Sequence, residues 1–426
     1  MLTAQNETTK LDIAAIRAQF PSLAQTVSGH PAIFLDGPGG TQVPQRVIDA
    51  ISHYLARDNA NSGGNYETAR RTDKMLLEAR HAMADFLGCA WDEVAFGMNM
   101  TSLTFAMSRA IGRDLKAGDE IVLTCLDHDA NFAPWKALEE RGVVIRVADI
   151  HETDCTLNME DLADKINERT KVVAVGLASN AVGTINDVAE VVRLAKKVGA
   201  LSYIDAVHYG PHGPIDVRAL DCDFLVCSAY KFFGPHMGIL YGKREHLQRL
   251  TPYKVRPATN DSPLRWEVGT LNHECIAGIT ECVNYLADLG RSTLEHPMEA
   301  STSSRRQAVL AAMREIQLYE RGLAEQLIGG LLKVRGLQFY GITDPARFAH
   351  RCPTVAVRIE DHPPASLAQQ LNERGIFTWD GNYYAINLSD HLGVESSGGF
   401  LRIGLAHYNT SGEVEALLQS LREIVG

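Results

Sequence analysis

No stretch of the 426-residue chain is apolar for long enough to cross a bilayer, so membrane-spanning helices are excluded from its expected plan. Basic charge is also scarce. With 52 acidic residues against 41 basic ones and a formal charge of −11, nothing in the electrostatics favours nucleic acid or an anionic membrane as partner. Eight cysteines are scattered without a Cys-x-x-Cys pair, and neither a disulfide framework nor a zinc ribbon is expected. No apolar run is followed by Gly-x-Gly-x-x-Gly, which argues against a nucleotide-binding dehydrogenase. Internal repeats and low-complexity tracts are missing too. Residues 1–7 carry neither the basic segment nor the apolar core of a secretory leader, so a cytoplasmic protein acting on a small molecule is expected.

What the chain does have is alternation. Short apolar runs recur at Val94-Ala95-Phe96, Ile121-Val122-Leu123, Val143-Val144-Ile145, Val172-Val173-Ala174-Val175, Leu201-Ser202-Tyr203-Ile204, Phe224-Leu225-Val226 and Ile239-Leu240-Tyr241, separated by helical segments. This predicts an α/β domain with a large, mostly parallel sheet covered on both faces. A short helix over residues 11–20 and another over 44–57 precede it. Around residues 291–304 the pattern loosens. A long amphipathic helix over 305–333 follows, then Val355-Ala356-Val357-Arg358-Ile359, a helix over 364–374, Phe400-Leu401-Arg402-Ile403 and a closing helix from 411. The expected domains are an N-terminal arm over 1–32, a large α/β domain over 33–290 and a smaller α+β domain over 291–426.

Residues after parallel strands share one edge, where open α/β sheets bind ligands. Asn99, Thr101 and Ser102 begin a helix and suit a phosphate or serve as a cap. His128 offers a stacking ring, and Asn180 an amide that reaches a phenolate oxygen or supports a turn. Asp205 is a helix cap or the partner of a protonated pyridine nitrogen. Ser228, Tyr230 and Lys231 follow the next run, and a partly desolvated lysine there can hold an aldehyde as a Schiff base. The glycines of Gly37-Pro38-Gly39-Gly40-Thr41 let backbone approach a ligand, and residues 59–66 form a polar loop. His208 and His212 have the spacing of helical zinc ligands, but Gly210 and Pro211 between them argue against a helix, and no metal is assigned. One polar group after each of five strands meets the needs of pyridoxal 5'-phosphate: a phosphate cup, a stacking ring, a phenolate partner, an acid and an amine.

The chain resembles the class V aminotransferases, the branch of fold-type I pyridoxal-phosphate enzymes that includes the cysteine desulfurases, over nearly its whole length. The resemblance rests on Ser228-x-x-Lys231 with Phe233-Gly234-Pro235, Asp205-Ala206-x-His208, Ser179-Asn180-x-x-Gly183-Thr184 and Arg265-x-Glu267-x-Gly269-Thr270. It implies that Lys231 carries the cofactor and moves protons, Asp205 pairs with the pyridinium, His128 stacks on the ring and Asn180 contacts the phenolate. Thr101, Ser228 and Tyr230 hold the phosphate, and Asn99, Ser102 and His208 are also assigned to the cofactor. It also implies a homodimer in which Gly269 and Thr270 reach the neighbouring subunit's phosphate. Arg402 grips a substrate carboxylate, and Gly40, Asn65 and Tyr384 are assigned to the substrate.

The departures bear on the reaction. Cysteine desulfurases place a nucleophilic cysteine on a loop of the small domain. The corresponding stretch here is Trp379-Asp380-Gly381-Asn382-Tyr383-Tyr384, and no cysteine occurs from 353 to 426. Tyr230 stands where the family has histidine and His208 where it has glutamine. The expectation is a C–S or C–Se lyase that expels its leaving group from a small amino acid by β-elimination, without a loop persulfide. Class V aminotransferase or amino-acid epimerase chemistry uses the same residues, and a non-catalytic cofactor-binding scaffold would keep the same fold.

Overall fold

The computed structural model describes residues 9–294 and 297–426. The opening stretch read for a leader lies outside them. The main sheet contains β1 (Val94–Gly97), β2 (Glu120–Thr124), β3 (Val144–Ala148), β4 (Thr170–Gly176), β5 (Leu201–Asp205), β6 (Phe224–Ser228) and β7 (Gly238–Gly242). Their spatial order is β1-β7-β6-β5-β4-β2-β3. Only β7 runs against the others. The link from β6 to β7, residues 229–237, is too short for the crossover a parallel pair requires, so the two strands must be antiparallel.

The unbroken apolar runs follow from burial on both faces. Side chains alternate across a strand, and Val173, Val175, Ile204, Leu225 and Cys227 enter one core while Val172, Ala174, Tyr203, Phe224 and Val226 enter the other. The first core is closed by helices Glu67–Leu87, His273–Thr293 and Arg305–Leu331, the second by helix Met100–Gly112 and Trp135.

Helix Arg305–Leu331 starts at a reciprocal cap between Ser304 and Gln307. It leads to an antiparallel sheet of β8 (Leu337–Tyr340), β9 (Thr354–Ile359), β10 (Trp379–Gly381) and β11 (Phe400–Gly404), ordered β8-β9-β11-β10. Leu323, Leu327, Leu417 and Leu421 pack against Val355, Val357, Leu401 and Ile403 of this sheet. Neither β8 nor β10 stands out in the sequence, because β8 is a half-buried edge and β10 is a short, largely exposed strand. The first helix is shorter than its pattern, Ile13–Arg17, since Pro21 excludes helical backbone at the residue before it.

Two pairings place the glycine-rich loop. Ile33 and Phe34 pair in parallel with Ile376 and Phe377, and Asp36 bridges Gly404 of β11. The loop at residues 37–40 therefore hangs from the C-terminal sheet and reaches across to the link between β6 and β7. Among the described residues, no helix is long and apolar enough to cross a membrane.

Candidate active site

The carboxyl ends of the parallel strands, the glycine-rich loop and the C-terminal sheet enclose a cavity of about 220 Å³. It brings together Asn99, Thr101, His128, Asn180, Asp205, His208, Ser228, Tyr230, Lys231, Tyr384 and Arg402. Five other residues assigned from the sequence do not line it. Ser102 is turned into the helix cap, its N–H donating to Asn99 Oδ1 at 2.8 Å and its hydroxyl to Asn99 O at 2.9 Å. Gly40 lies just behind, against the Tyr230 ring. Asn65, Gly269 and Thr270 are exposed on the surface of the single chain.

Lys231 sits on the single turn after β6, and its Nζ donates to the carbonyls of Pro38 and, at 3.0 Å, Gly39. The ammonium also lies 4.9 Å from the centre of the Tyr230 ring. Burial pushes its pKa down to about 7, helped by the cation of Arg402 and opposed by Asp205 and Asp36. Two of the acids around it are not distinguished in the sequence. Burial raises Asp36 to about 6 and Asp127 to about 7, although Thr124 and Asn131 hydrogen-bond the latter at 2.5 and 3.0 Å. Asp127 follows β2 and lines the cavity, so its strand-end position is the signal that marks it. Asp205 is raised to about 6 by burial, against the Val207 N–H at 2.8 Å and the nearby Lys231.

His128 is held neutral. Its Nδ1 accepts from the Ala130 N–H at 3.0 Å, which leaves the ring proton on Nε2, and burial followed by Lys231 and Arg402 brings its pKa down to about 4. Tyr384 stacks on the imidazole with centroids 5.4 Å apart. The tyrosine loop is tied down at both residues: Asn180 Nδ2 donates to Tyr383 O at 2.9 Å and the Asp129 N–H to Tyr384 O at 2.7 Å. These bonds hold Tyr383 and Tyr384 in left-handed backbone, φ +55° and +62°, which L residues adopt at a cost of about 1–2 kcal/mol.

An anion-receiving corner lies at the start of helix Met100–Gly112. The Met100 N–H donates to Ser228 Oγ at 3.1 Å and the Ser102 N–H is capped by Asn99, so Thr101, which lines the cavity, has the N–H left for an incoming group. Gly238 of β7 makes this corner possible. A Cβ there would stand 2.4 Å from the Asn99 backbone.

The sequence pattern described as Aminotransferase class-V matches residues 33–319 and 308–417. The chain belongs to that family. Curated relatives include a cysteine desulfurase of Pectobacterium carotovorum, 32% identical over 97% of this chain and 98% of its own. A probable cysteine desulfurase of Mycolicibacterium paratuberculosis is 32% identical and a cysteine desulfurase of Synechococcus elongatus 31% identical, each over 97% of this chain. The chain spans 58% and 64% of the length of those two relatives. The fold matches the apo structure of a cysteine desulfurase from Thermococcus onnurineus NA1, TM-score 0.84 at 24% identity, covering 97% of this chain and 98% of that one. A cysteine desulfurase of Escherichia coli matches with TM-score 0.81 at 23% identity, over 98% of this chain and 100% of the other.

Class V aminotransferases depend on pyridoxal 5'-phosphate, and the cavity of this member fits the group. An amine whose proton leaves near neutrality, a buried carboxyl, a stacking imidazole and an anion-receiving helix start share one space. Asn180 Oδ1 is buried there without a hydrogen-bond partner.

Proposed function

We propose that this protein is a cysteine desulfurase-like C–S or C–Se lyase that acts on a small amino acid by β-elimination and forms no persulfide on a loop cysteine. The observation that carries the reading is where the cysteines are. None of the eight lines the cavity. Burial raises the thiols of Cys125 and Cys155 to about 12 and shifts Cys227, Cys282 and Cys352 in the same direction, which leaves them poor nucleophiles.

Pyridoxal 5'-phosphate, when bound, supplies an electron sink for the Cα of an amino acid. In this reading Lys231 holds the cofactor and moves the Cα proton, an assignment supported by its pKa near 7. Asp205 keeps a proton at the pyridine nitrogen, His128 stacks on the ring, and Asn180 and His208 face the phenolate oxygen. Asn99, Thr101, Ser228 and Tyr230 surround the phosphate. Arg402 pairs with the substrate carboxylate, and Tyr384 stands near the leaving group. Elimination breaks the Cα–H and Cβ–S bonds and, after hydrolysis, yields a keto acid, ammonia and the reduced sulfur or selenium species.

We infer further that two copies share their sites, with Gly269 and Thr270 completing the phosphate end of the neighbour. Their exposure supports this, as does that of the neighbouring apolar residue Val268, which is more than half exposed.

The test is incubation with cysteine, cysteine sulfinate, selenocysteine and other small amino acids, measuring keto acid, ammonia and released sulfur or selenium, with mass spectrometry of the cysteine peptides during turnover. Stoichiometric keto acid and ammonia with unmodified cysteines is the expected result. A persulfide on Cys352 together with loss of activity in Cys352→Ala would overturn it, and keto acid formed only with an amino acceptor would identify an aminotransferase.

A further inference from the structure

Behind the cofactor cavity lies a second group of side chains, of which the proposed reaction uses only His208. His208, His212 and Cys352 are 5%, 4% and 2% exposed, and one ligand atom from each lies within 4.8 Å of the others. Nε2 of both histidines is buried and has no hydrogen-bond partner among the described residues. Gly210 and Pro211 do exclude a helix here, but the turn at residues 207–212 brings the imidazoles together without one. Their ring centres lie 5.3 Å apart at 64°.

We propose that His208, His212 and Cys352 bind one divalent transition-metal ion of the zinc type, with Glu320 orienting His212. Imidazole and thiolate are the donors such ions prefer. Donors bound at about 2.0–2.3 Å lie about 3.3–3.6 Å apart in a tetrahedral shell, so the observed spacing closes by side-chain movements of about an ångström. Glu320 occupies the place of an outer-sphere carboxylate: it is buried, and its Oε2 lies 2.8 Å from Nδ1 of His212. That bond puts the His212 proton on Nδ1 and turns the lone pair of Nε2 toward the cluster. Two neutral imidazoles and one thiolate leave a single positive charge on the complex, with the Glu320 carboxylate and the buried Arg351 guanidinium beside it. A small pocket of about 10 Å³ lined by His212, Glu320 and Cys352 adjoins the cluster.

The ion would join the turn after β5 to the long helix that carries Glu320 and to Cys352, two residues before β9. It would also act on the cofactor cavity, which His208 lines. With Nε2 of His208 bound to metal, the ring proton must reside on Nδ1, so one tautomer is fixed beside the cofactor.

The test uses the cofactor-loaded full chain, freed of metal with a chelator and titrated with cobalt(II) and then zinc(II). One cobalt per chain, a thiolate-to-cobalt charge-transfer band, displacement of that band by zinc and a raised Tm are expected. Cys352→Ser and His212→Gln should abolish the band. Cys125→Ser should leave it, which separates this site from the grouping of buried Cys125 with Asp149 and His391. If Cys352→Ser does not fold, X-ray absorption of the zinc-loaded parent protein decides, with one sulfur near ~2.3 Å and two nitrogens near ~2.0 Å expected. Substoichiometric metal, a shell without sulfur, or a band that survives Cys352→Ser overturns the proposal. None of these readouts depends on turnover, so they stand apart from the assignment of the reaction.

Discussion

The guanidinium carbon of Arg402 lies 4.1 Å from the centre of the Tyr383 ring. The cation is otherwise held by a 3.0 Å hydrogen bond to the carbonyl of Asn180 and, among the described residues, forms no ion pair. Burial brings its pKa down to about 10, with only partial compensation from Tyr383 and Asp36. A buried arginine without a carboxylate is a site prepared for an anion, and its planar fork matches the carboxylate of an amino acid.

Arg402→Lys should therefore raise KM for the amino acid by about 10- to 100-fold, the worth of one charge-assisted hydrogen bond, because an ammonium cannot make the bidentate contact. Steady-state kinetics over a range of substrate concentrations will show it. An unchanged KM would place the carboxylate elsewhere.

Asp205→Asn should leave the fold intact and remove nearly all turnover. The amide can still accept from the Val207 N–H, but it supplies no charge to hold a proton on the pyridine nitrogen. Thermal melting beside the absorption spectrum of the bound cofactor distinguishes this from loss of binding. Normal turnover would make the residue a cap only.

Lys231→Met should stabilise the cofactor-free protein, with a gain that depends on pH. The amine has a pKa of about 7 when folded and about 10.4 when unfolded. Between these values the unfolded chain binds the extra proton, so the lysine's contribution to stability rises with pH. The cost is fully present below pH 7 and gone above about 10.4. The advantage of Lys231→Met, on the order of a few kcal/mol, should thus be largest at pH 6–7 and shrink toward pH 10. Denaturant melts of both proteins across that range test it, and a constant difference would contradict it.

Mixing inactive Thr270→Ala and Lys231→Ala chains should restore part of the activity, since a shared-site dimer of the two contains one intact site. Recovery should grow with subunit exchange, followed by mass spectrometry of differently labelled chains. No recovery at full exchange would mean that each chain builds its site alone.

Arg80→Met should destabilise the protein by about 3–5 kcal/mol by leaving a buried carboxylate unpaired. Arg80 reaches both oxygens of Glu267 at 2.7 and 2.9 Å, and Glu267 also accepts the Phe96 N–H at 2.9 Å. The pair fastens the segment that ends in Gly269 and Thr270 to β1. A change of less than 1 kcal/mol in denaturant melts would argue against this role.

Much of the fold is legible in the sequence because strands buried on both faces leave uninterrupted apolar runs, as Val172 to Val175 and Phe224 to Val226 do. Residues just after such runs, Asp205 and Lys231 among them, can be placed at one edge before any coordinates are known. Convergence of distant segments is another matter. Nothing local marks Asp36 as a buried acid beside Lys231, because its burial depends on pairing with Gly404 nearly the whole chain length away. Ser102 looks the same in sequence whether its hydroxyl faces a ligand or Asn99. The two tyrosines of the 379–384 loop likewise acquire their left-handed backbone from bonds made by Asn180 and Asp129, which belong to other strand ends.

The attachment of the glycine-rich loop makes it a mechanical follower. Leu35 donates to Phe377 O and accepts from Gly404 N–H, so residues 37–40 are coupled to the C-terminal sheet while their carbonyls hold the ammonium of a lysine rooted in the main sheet. Any rocking of one sheet against the other stretches or releases those two carbonyl contacts. The ammonium of Lys231, rooted in the main sheet, is thereby bonded to a segment whose own anchor is the C-terminal sheet.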